Sequence, residues 1–356
     1  IGKYTLKNGE TSKYYFNLKN LIAYPSLLRE IGDKLYQQLG DFDIICGVPY
    51  GGLPIATYIS ITYNKPMIFF RDSVKKYGTQ QIIEGEYKLT DRCVIIDDVI
   101  TTGGSLQEAI DILENNVTIA KVAVIFDRQQ NYSCSYPVQS LLNKNDVVKY
   151  RLHSIKNKKK TDICFSADLV DDIDKLLDII DKIGSYIAIC KIHYDIMDDR
   201  DEKLKHALIE LSIKHEFLIM EDRKFNDISY IVEKQYQKFN NWIDLVTVHS
   251  LVSDEVIQKL SGVLLVANMS NNSYNFSEKS IELAKNNPKH VIGFIAQNRI
   301  KCQDFVTMTP GISFQKQKKI DDQRYRTREE VDTDFIIVGR AIYNASKIED
   351  VINDLQ

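Results

Sequence analysis

The chain has 356 residues, of which 44% are hydrophobic and 27% are charged, and its formal net charge is −3. This length exceeds the size at which a single hydrophobic core usually stops growing, so we expect two compact domains, although one large barrel could also have this length. The small net charge excludes a general basic field for nucleic acid or an anionic membrane, although a local patch could still bind phosphate.

The sequence lacks signals for a membrane segment or for a cysteine-based metal site. It has no run of about eighteen apolar residues, and no basic segment followed by an apolar core lies near its start. Its six cysteines lack the paired spacing of metal sites, and four of them fall within apolar runs. We therefore expect a cytoplasmic chain with reduced thiols. Because the sequence begins on Ile1, we also expect a further N-terminal piece before it.

The first half of the chain alternates short β-rich runs with helical stretches. The runs are apolar throughout, which suits strands that are buried on both faces of a parallel sheet. They are Ile44–Val48, Met67–Phe70, Cys93–Ile96 and Val122–Phe126. We therefore predict an open, doubly wound α/β sheet for this half.

A turn of small residues follows the third run and leads into a predicted helix over Leu106–Leu113. The turn consists of Thr101, Thr102, Gly103, Gly104 and Ser105. Its backbone N–H groups, its hydroxyls and the helix N-terminus can together bind one anion, which predicts a site for a 5'-phosphate. Asp97 and Asp98 precede the turn, where ribose hydroxyls or a Mg²⁺-loaded pyrophosphate would lie.

The string from Val94 to Ser105 resembles the phosphoribosyl pyrophosphate (PRPP) motif of type I phosphoribosyltransferases. The resemblance implies that a nitrogen nucleophile displaces pyrophosphate from ribose C1. It also implies that Mg²⁺ is required and is bound together with PRPP, without fixed protein ligands.

Three further segments are similar to the orotate members of that family: Tyr4–Gly9 with Ser12–Asn17, Asp127–Gln130 and Gly47–Pro54. In the N-terminal segment, the resemblance implies that Lys7 meets the base or the pyrophosphate and that Tyr15 and Phe16 wall the orotate ring. In the segment Asp127–Gln130, it implies that Arg128 pairs with the substrate carboxylate. A planar guanidinium suits a carboxylate because it can donate two parallel hydrogen bonds.

The stretch Arg71–Thr79 resembles the mobile catalytic loop of the same family, and Gly47–Pro54 resembles its pyrophosphate-binding loop. By this resemblance, Arg71 and Lys75 neutralise charge on the departing pyrophosphate. Asp72 stands where many relatives carry lysine, which places a negative charge near the pyrophosphate and predicts weaker PRPP binding. An Asp72→Lys variant with an unchanged Michaelis constant for PRPP would argue against this interpretation.

A lysine-rich stretch, Lys156 to Lys160, separates the two halves, and we predict that it is a solvated connector. The predicted boundaries are residues 1–155 for the first domain, 156–161 for the linker and 162–356 for the second domain. Eight apolar runs with helix-length spacers follow, which predicts a (β/α)8 barrel. These runs are Asp162–Phe165, Tyr186–Cys190, Phe217–Met220, Trp242–Val248, Val263–Ala267, Val291–Ile295, Phe305–Met308 and Phe335–Val338.

Polar residues and glycines follow these runs. Because the carboxyl ends of barrel strands face the mouth where barrel enzymes place their chemistry, we predict the active site there. The residues are Ser166, Asp168, Lys191, His193, Glu221, Asp222, Lys224, His249, Met269, Ser270, Gln297, Thr309, Pro310, Gly311, Gly339 and Arg340.

The order of these residues resembles that of orotidine 5'-monophosphate decarboxylases, from Ile163 to the end of the chain. The resemblance implies a catalytic network of Lys191, Asp222, Lys224 and Asp227. In this network Lys224 is the proton donor and Asp227 comes from the partner across a dimer interface. Alternating opposite charges would keep these groups ionised, although such a pattern also occurs in purely structural ion-pair networks.

The same resemblance assigns binding roles for the sugar and the base. Asp168 and His193 would bind the ribose hydroxyls, Ser270 would bind the pyrimidine amide edge, and Pro310 would line the pocket beside the leaving group. The predicted binding set is completed by Ser166, Met269 and Gly339.

The resemblance also assigns the 5'-phosphate to Gln323, Tyr325 and Arg340, in keeping with the phosphate sites that barrels form near strands seven and eight. Ile231 stands where the family usually offers a threonine to the ribose of the partner's substrate. Loss of one such hydrogen bond costs on the order of 1 kcal/mol, so we expect weaker binding and surviving decarboxylation.

Together the two halves resemble the bifunctional UMP synthase family. The implied reactions are the conversion of orotate and PRPP to orotidine 5'-monophosphate and pyrophosphate, followed by cofactor-free decarboxylation to UMP. We expect a cytoplasmic homodimer with shared active sites and no nucleic-acid or membrane partner. The alternative is an active decarboxylase whose first half is an impaired transferase or a PRPP-sensing module.

Overall fold

The computed structural model describes residues 1–5, 9, 11–71, 82–130, 132–169, 171–197, 202–269, 274–314, 325–348 and 351. The chain divides into two compact units, Phe16–Lys144 and a second unit made of Ile1–Tyr15 with Asn145–Gln356. Within these ranges no helix has both the length and the apolar character needed to cross a bilayer. Near the start of the chain, strands β1 (Tyr4–Thr5) and β2 (Thr11–Ser12) pair antiparallel.

A six-stranded sheet forms the unit Phe16–Lys144. Its elements are α1 (Pro25–Leu39), β3 (Ile44–Gly47), α2 (Gly52–Tyr63), β4 (Met67–Phe70), β5 (Ile83–Glu84), β6 (Arg92–Ile100), α3 (Gly104–Leu113), β7 (Thr118–Asp127) and β8 (Val138–Asn143). The strand order is β5-β4-β3-β6-β7-β8, and every pair is parallel except β4 with β5. The predicted doubly wound sheet is confirmed, and its most apolar runs form the buried central strands β3 and β6.

The second unit is built on a barrel. Its elements are α4 (Lys144–Lys159), β9 (Ile163–Ser166), α5 (Ile173–Ile183), β10 (Ile189–Ile192), α6 (Glu202–Lys214), β11 (Leu218–Phe225), α7 (Ser229–Tyr236), β12 (Leu245–His249), α8 (Asp254–Ile257), β13 (Val263–Val266), α9 (Ser277–Asn286), β14 (Val291–Ile295), β15 (Val306–Thr309), β16 (Phe335–Val338) and α10 (Arg340–Tyr343). Strands β9 to β16 close into a parallel eight-stranded barrel, which confirms the predicted (β/α)8 fold.

Helix α4 packs across the amino end of this barrel. Its apolar residues Val148, Leu152 and Ile155 follow a helical spacing and share a buried cluster with residues at the start of strands, such as Ile189 and Leu264. This spacing gives α4 one apolar stripe, and burying that stripe against the barrel stabilises the helix. The helix thus continues through the predicted boundary at residue 155.

The lysines of the predicted linker lie in α4 or directly after it, and Lys156 and Lys159 contact the barrel, whereas Lys158 and Lys160 are exposed. Lys156 Nζ donates to the carbonyl of Asp334 at 2.7 Å, and Lys159 Nζ donates to those of Gly184 and Ile187 at 2.8 Å each. The structure therefore differs from the predicted solvated connector. The sequence revealed the charge of these side chains, whereas the carbonyl acceptors come from distant loops.

The N-terminal segment contributes a fully buried ion pair to the barrel unit. Lys13 Nζ lies 2.6 Å from Asp244 Oδ2, and both side chains are 0% exposed. The hydroxyl of Tyr14 and the guanidinium of Arg151 also donate to the Asp244 carboxylate. Burial alone would raise the pKa of Asp244, but the two cations outweigh this effect and hold the pKa below its ordinary value.

Candidate active sites

Polar side chains from around the barrel converge on one cavity at the carboxyl ends of the strands. The cavity has a volume of about 400 Å³, which is within the range of small-molecule sites. The predicted residues that line it are Ser166, Asp168, Lys191, His193, Asp222, Lys224, Met269, Pro310, Gly311, Tyr325, Gly339 and Arg340. The barrel therefore gathers into one cavity residues that are spread over most of the second half of the sequence.

Two lysines flank one carboxylate in this cavity. Lys191 Nζ lies 2.8 Å from Asp222 Oδ2, and Lys224 Nζ lies 3.0 Å from Asp222 Oδ1. A second carboxylate, Asp168, lies 3.4 Å from Lys191 Nζ. The alternation follows from parallel pairing, because β10 and β11 are neighbours and present Lys191 and Asp222 on the inner side of the barrel.

Mutual attraction keeps this array charged. Burial would lower the pKa of Lys191, but Asp222 and Asp168 outweigh burial and raise it above the ordinary value. Burial would likewise raise the pKa of Asp222, but Lys191 and Lys224 outweigh burial and lower it well below the ordinary value. A charge that is already fixed in place needs no reorganisation when a reaction develops charge beside it.

His193 is the neutral member of the cluster. Burial, followed by the charge of Lys191, lowers the pKa of His193 below its ordinary value. Its Nε2 lies 3.0 Å from Lys191 Nζ, so the neutral ring accepts a hydrogen bond from the ammonium group. Nearby, Ser166 Oγ donates to Asp168 Oδ2 at 2.8 Å. These residues form a polar wall beside the charged array.

Thr247, which was not among the predicted site residues, holds the array in place. Its buried hydroxyl donates to Asp222 Oδ1 at 2.8 Å and accepts the backbone N–H of Lys224 at 3.0 Å. The second bond supports Lys224 in a left-handed backbone conformation, with φ of 54°, which side-chain-bearing residues rarely adopt. The one available signal was a single hydroxyl within the apolar run of β12.

A further part of the cavity wall consists of Arg340, Tyr325 and Tyr343. Gly339 allows the close approach of this side, because a Cβ placed there would lie 3.1 Å from Cβ of Ser166. Burial, with a smaller contribution from Asp168, raises the pKa of Tyr343, whose side chain is hydrogen-bonded to Arg340. Tyr343 was not predicted, and its signal was its position one helical turn after Arg340.

Several predicted residues do not line the cavity. Asp227 is exposed and borders a separate open pocket with Ile228 and Leu251. Ser270 and Gln323 lie outside the described residues. The strand-end residues that lie elsewhere are Glu221, His249, Gln297 and Thr309. Glu221 in particular is fully buried, because it precedes Asp222 on a strand whose successive side chains point to opposite faces.

In the first unit, the predicted anion-binding turn lies between β6 and α3. Helix α3 begins at Gly104, two residues before its predicted start, and Thr102, Gly104 and Ser105 are exposed. Gly103 has a φ of 82°, a conformation that favours glycine. The turn thus leaves the first N–H groups of a ten-residue helix open to an incoming anion.

The paired carboxylates lie at the end of β6. Burial, and then the neighbouring Asp98, raises the pKa of Asp97 to about 7. The loop after β3 approaches them so closely that a Cβ on Gly51 would lie 2.2 Å from the Asp98 carboxyl carbon. Across the described ranges, no group of three or more His, Cys, Asp or Glu side chains is arranged as a metal site.

Arg128 and Phe16 meet within the same unit. The ring of Phe16 stacks on Phe126 with centroids 4.1 Å apart, and the Arg128 guanidinium lies 5.8 Å from the Phe16 ring. Arg128 is buried, which lowers the pKa of its guanidinium, and its backbone N–H donates to the carbonyl of Ile100 at 3.1 Å. A buried guanidinium beside an aromatic face is a suitable receptor for a flat anionic ring.

Two more of the predicted transferase residues, Tyr15 and Arg71, are among the described residues. Tyr15 belongs to the barrel unit, where its exposed ring lies 5.4 Å from that of Tyr4. Arg71 forms an ion pair with Glu84 at the edge of the sheet. The residues Lys7, Asp72 and Lys75 lie outside the described residues.

Comparison with known proteins assigns the two units to two families. Residues 161–354 match the orotidine 5'-phosphate decarboxylase / HUMPS family, and residues 17–152 match the phosphoribosyl transferase domain. The first match covers more than half of the chain. The barrel with its charged cavity is therefore of the decarboxylase class, and the open sheet is of the phosphoribosyltransferase class.

Two uridine 5'-monophosphate synthases match nearly the whole chain. The uridine 5'-monophosphate synthase of Bos taurus is 30% identical, with 98% of this chain and 92% of the relative covered. That of Naegleria gruberi is 28% identical, with 97% and 90% covered. The orotidine 5'-phosphate decarboxylase of Candida dubliniensis is 36% identical over 57% of this chain and 86% of its own length. The chain belongs to the uridine 5'-monophosphate synthase family.

Proposed function

We propose that this chain converts orotate to UMP in two successive reactions, the first in the open-sheet unit and the second in the barrel. The observation that carries this proposal is the array of Lys191, Asp222 and Lys224 in a cavity that also contains Arg340. This cavity suits a nucleotide whose base must lose CO₂. The fixed charges of the array can act on the base, and the guanidinium of Arg340 can bind the phosphate.

In the barrel, the bond between C6 of the pyrimidine and its carboxylate breaks, and the electron pair remains on C6. No cofactor absorbs this pair, so preorganised charge and prompt protonation must stabilise it. The ammonium group of Lys224 lies beside Asp222 and donates the proton to C6, and solvent then reprotonates the lysine. Lys191 keeps Asp222 ionised, and Thr247 fixes the carboxylate so that it cannot turn away.

The rest of the cavity holds the nucleotide in place. Asp168 and His193 bind the ribose hydroxyls, and Pro310 lies beside the leaving CO₂. Arg340 and Tyr325 bind the 5'-phosphate. Ser166, Met269 and Gly339 shape the pocket, whereas Ser270 and Gln323 contact the base edge and the phosphate. Phosphate binding far from the reacting carbon supports the transition state when it holds the site closed.

In the open-sheet unit, the turn Thr101–Ser105 binds the 5'-phosphate of PRPP, and Asp97 and Asp98 face its ribose and pyrophosphate. Their carboxylates are hard oxygen donors of the kind that Mg²⁺ prefers, and a cation there would offset the repulsion that contributes to the raised pKa of Asp97. When bound with PRPP, Mg²⁺ supplies charge neutralisation for the pyrophosphate.

The remaining groups of this unit act on orotate and the leaving group. Arg128 pairs with the orotate carboxylate, and Phe16 walls the ring, a role that the family resemblance also implies for Tyr15. Lys7 meets the base or pyrophosphate. A ring nitrogen of orotate forms the bond to ribose C1 as the bond to pyrophosphate breaks, while Arg71 and Lys75 neutralise the departing charge.

We further propose that the chain acts as a cytoplasmic homodimer. Asp227 is exposed and borders an open pocket with the exposed apolar side chains of Ile228 and Leu251. It is therefore available to complete the cavity of a second copy. Mixing Lys224→Ala chains with Asp227→Ala chains restores part of the decarboxylase activity if the residues come from different protomers, and restores none if both act within one chain.

The proposal is tested by UMP formation from orotate, PRPP and Mg²⁺, with a parallel assay from orotidine 5'-monophosphate. We expect UMP in both assays and its loss in both with a Lys224→Ala variant, which in the first assay accumulates orotidine 5'-monophosphate. UMP from the preformed nucleotide alone would restrict the function to the barrel. The absence of UMP from both assays with the parent chain would refute the proposal.

A further inference from the structure

Strand β11 carries charged side chains on both of its faces. Asp222 and Lys224 line the cavity, whereas Glu221 and Arg223 do not. For Glu221 and Asp222 this division follows from the strand geometry, in which successive side chains point to opposite faces, whereas Lys224 lies at an irregularity of the strand. The mechanism uses only the inner pair. The outer pair therefore calls for a separate explanation.

Both outer residues contact the short turn Tyr194–Ile196, which directly follows His193. Glu221 Oε2 accepts the backbone N–H of Tyr194 at 3.0 Å, and the Arg223 guanidinium forms an ion pair with Asp195. The turn is also held by packing, because the ring of Tyr194 lies edge-on to Trp242 with centroids 5.2 Å apart. Strand β11 thus fixes the residue that comes next to His193 in the chain.

Burying the carboxyl group of Glu221 at this position costs free energy. Its side chain is 0% exposed, and its Oε1 has no hydrogen-bond partner among the described residues. Burial raises the pKa of Glu221 to about 8. The Tyr194 N–H and Lys191 oppose this rise, whereas the charges of Asp195 and Asp222 add to it. An apolar side chain of similar size would avoid the cost of burying this carboxyl. A glutamine could accept the Tyr194 N–H without the burial of an ionisable group, so stability alone does not require a glutamate here.

The hydrogen bond between Glu221 and Tyr194 can affect the cavity through His193, the residue before Tyr194. The ring of His193 has its Nε2 3.0 Å from Lys191 Nζ and 3.4 Å from Asp222 Oδ2. Only one peptide bond separates His193 from the N–H group that Glu221 binds. A turn released from Glu221 would let the His193 ring move relative to Lys191 and to a ribose bound beside it.

We propose that Glu221 is a positioning residue for decarboxylation: together with Arg223 it holds the turn Tyr194–Ile196, and thereby the ring of His193, in place for ribose binding. The proposal rests on the function proposed for the barrel. Because a ribose contact is made by substrate and transition state alike, its loss raises KM while kcat is retained.

The test compares Glu221→Leu with Glu221→Gln in the full chain, using orotidine 5'-monophosphate as substrate. We expect Glu221→Leu to raise KM about tenfold with kcat within about twofold, because one hydrogen bond that orders the turn is lost. Glutamine retains a carbonyl oxygen for the Tyr194 N–H, so we expect Glu221→Gln to keep KM within about twofold of the parent value. A purely structural role would not produce this division between KM and kcat.

A double-mutant cycle with His193→Ala identifies the route of the effect. If Glu221 acts through His193, Glu221→Leu causes no further rise in KM once the imidazole is absent. An additive rise in KM would overturn the proposal. An unchanged KM would also overturn it, provided that the fluorescence of Trp242 shows the Glu221→Leu variant to be folded.

Arg223→Met provides a second test if Glu221→Leu does not fold, because Arg223 is partly exposed and the loss of its ion pair with Asp195 is better tolerated. We expect a several-fold rise in KM, and an unchanged value would count against the proposed clamp. Failure of the proposed function itself would be distinct, since the parent chain would then not decarboxylate the nucleotide at all.

Discussion

Replacement of Lys13 by methionine should destabilise the barrel unit strongly. The change keeps the length of the side chain but leaves Asp244 without the cation 2.6 Å away, at a position where both side chains are 0% exposed. Removal of one partner of a buried pair costs roughly 3–5 kcal/mol. Asp244 retains the Tyr14 hydroxyl, Arg151 at 3.3 Å and the N–H of Ile219 at 2.7 Å, so we expect a loss of about 3 kcal/mol, at the lower end of that range.

The chain offers a probe that reports on this unit alone. Trp242 is its only tryptophan and is buried in the barrel unit, so its fluorescence during urea titration follows the unfolding of that unit. Lys3→Met is the matched control, because the exposed pair of Lys3 with Glu210 contributes only about 0–1 kcal/mol. If the two variants lowered the free energy of unfolding equally, the reasoning about the buried pair would be wrong.

The cost of Lys13→Met should also depend on pH. The folded-state pKa of Asp244 is below its ordinary value of 3.8, so its contribution to stability is present above that pH and is lost as the pH falls through the folded-state pKa. We therefore expect the parent chain and the variant to differ fully in free energy of unfolding at pH 7, and this difference to become smaller below about pH 4. A difference that grows on acidification would contradict this assignment.

Three further predictions concern the two sites. Thr247→Val removes the hydroxyl that donates to Asp222 and should lower kcat/KM for decarboxylation by about 10- to 100-fold, which a steady-state assay with orotidine 5'-monophosphate would measure. Gly51→Ala places a Cβ against Asp98 and should abolish UMP formation from orotate while UMP formation from orotidine 5'-monophosphate continues; full activity in both assays would show that the loop can shift. Arg128→Lys should raise KM for orotate about tenfold because an ammonium group cannot donate the paired bonds of a guanidinium, and an unchanged KM would argue against a carboxylate contact.

Much of the architecture could be predicted because its signals are local. Eight apolar runs at helix-length spacing predicted the barrel, and the small residues from Thr101 to Ser105 predicted an anion-binding turn before α3. The resemblance to known families assigned roles to residues such as Lys224 and Arg340. Each of these inferences needs only the periodicity or the chemistry of one short segment, which is visible in the sequence.

Other features were decided only by tertiary structure. The sequence predicted that Glu221, Asp222 and Lys224 follow a strand, whereas in the structure they lie within β11. Only the barrel decides that Asp222 and Lys224 line the cavity while Glu221 contacts the turn Tyr194–Ile196. In the sequence, Thr247 is one hydroxyl in an apolar run, and Lys13 is one of several lysines near the start. Their partners lie on neighbouring strands or far along the chain, and pairing of that kind depends on register and long-range packing, which no short segment specifies.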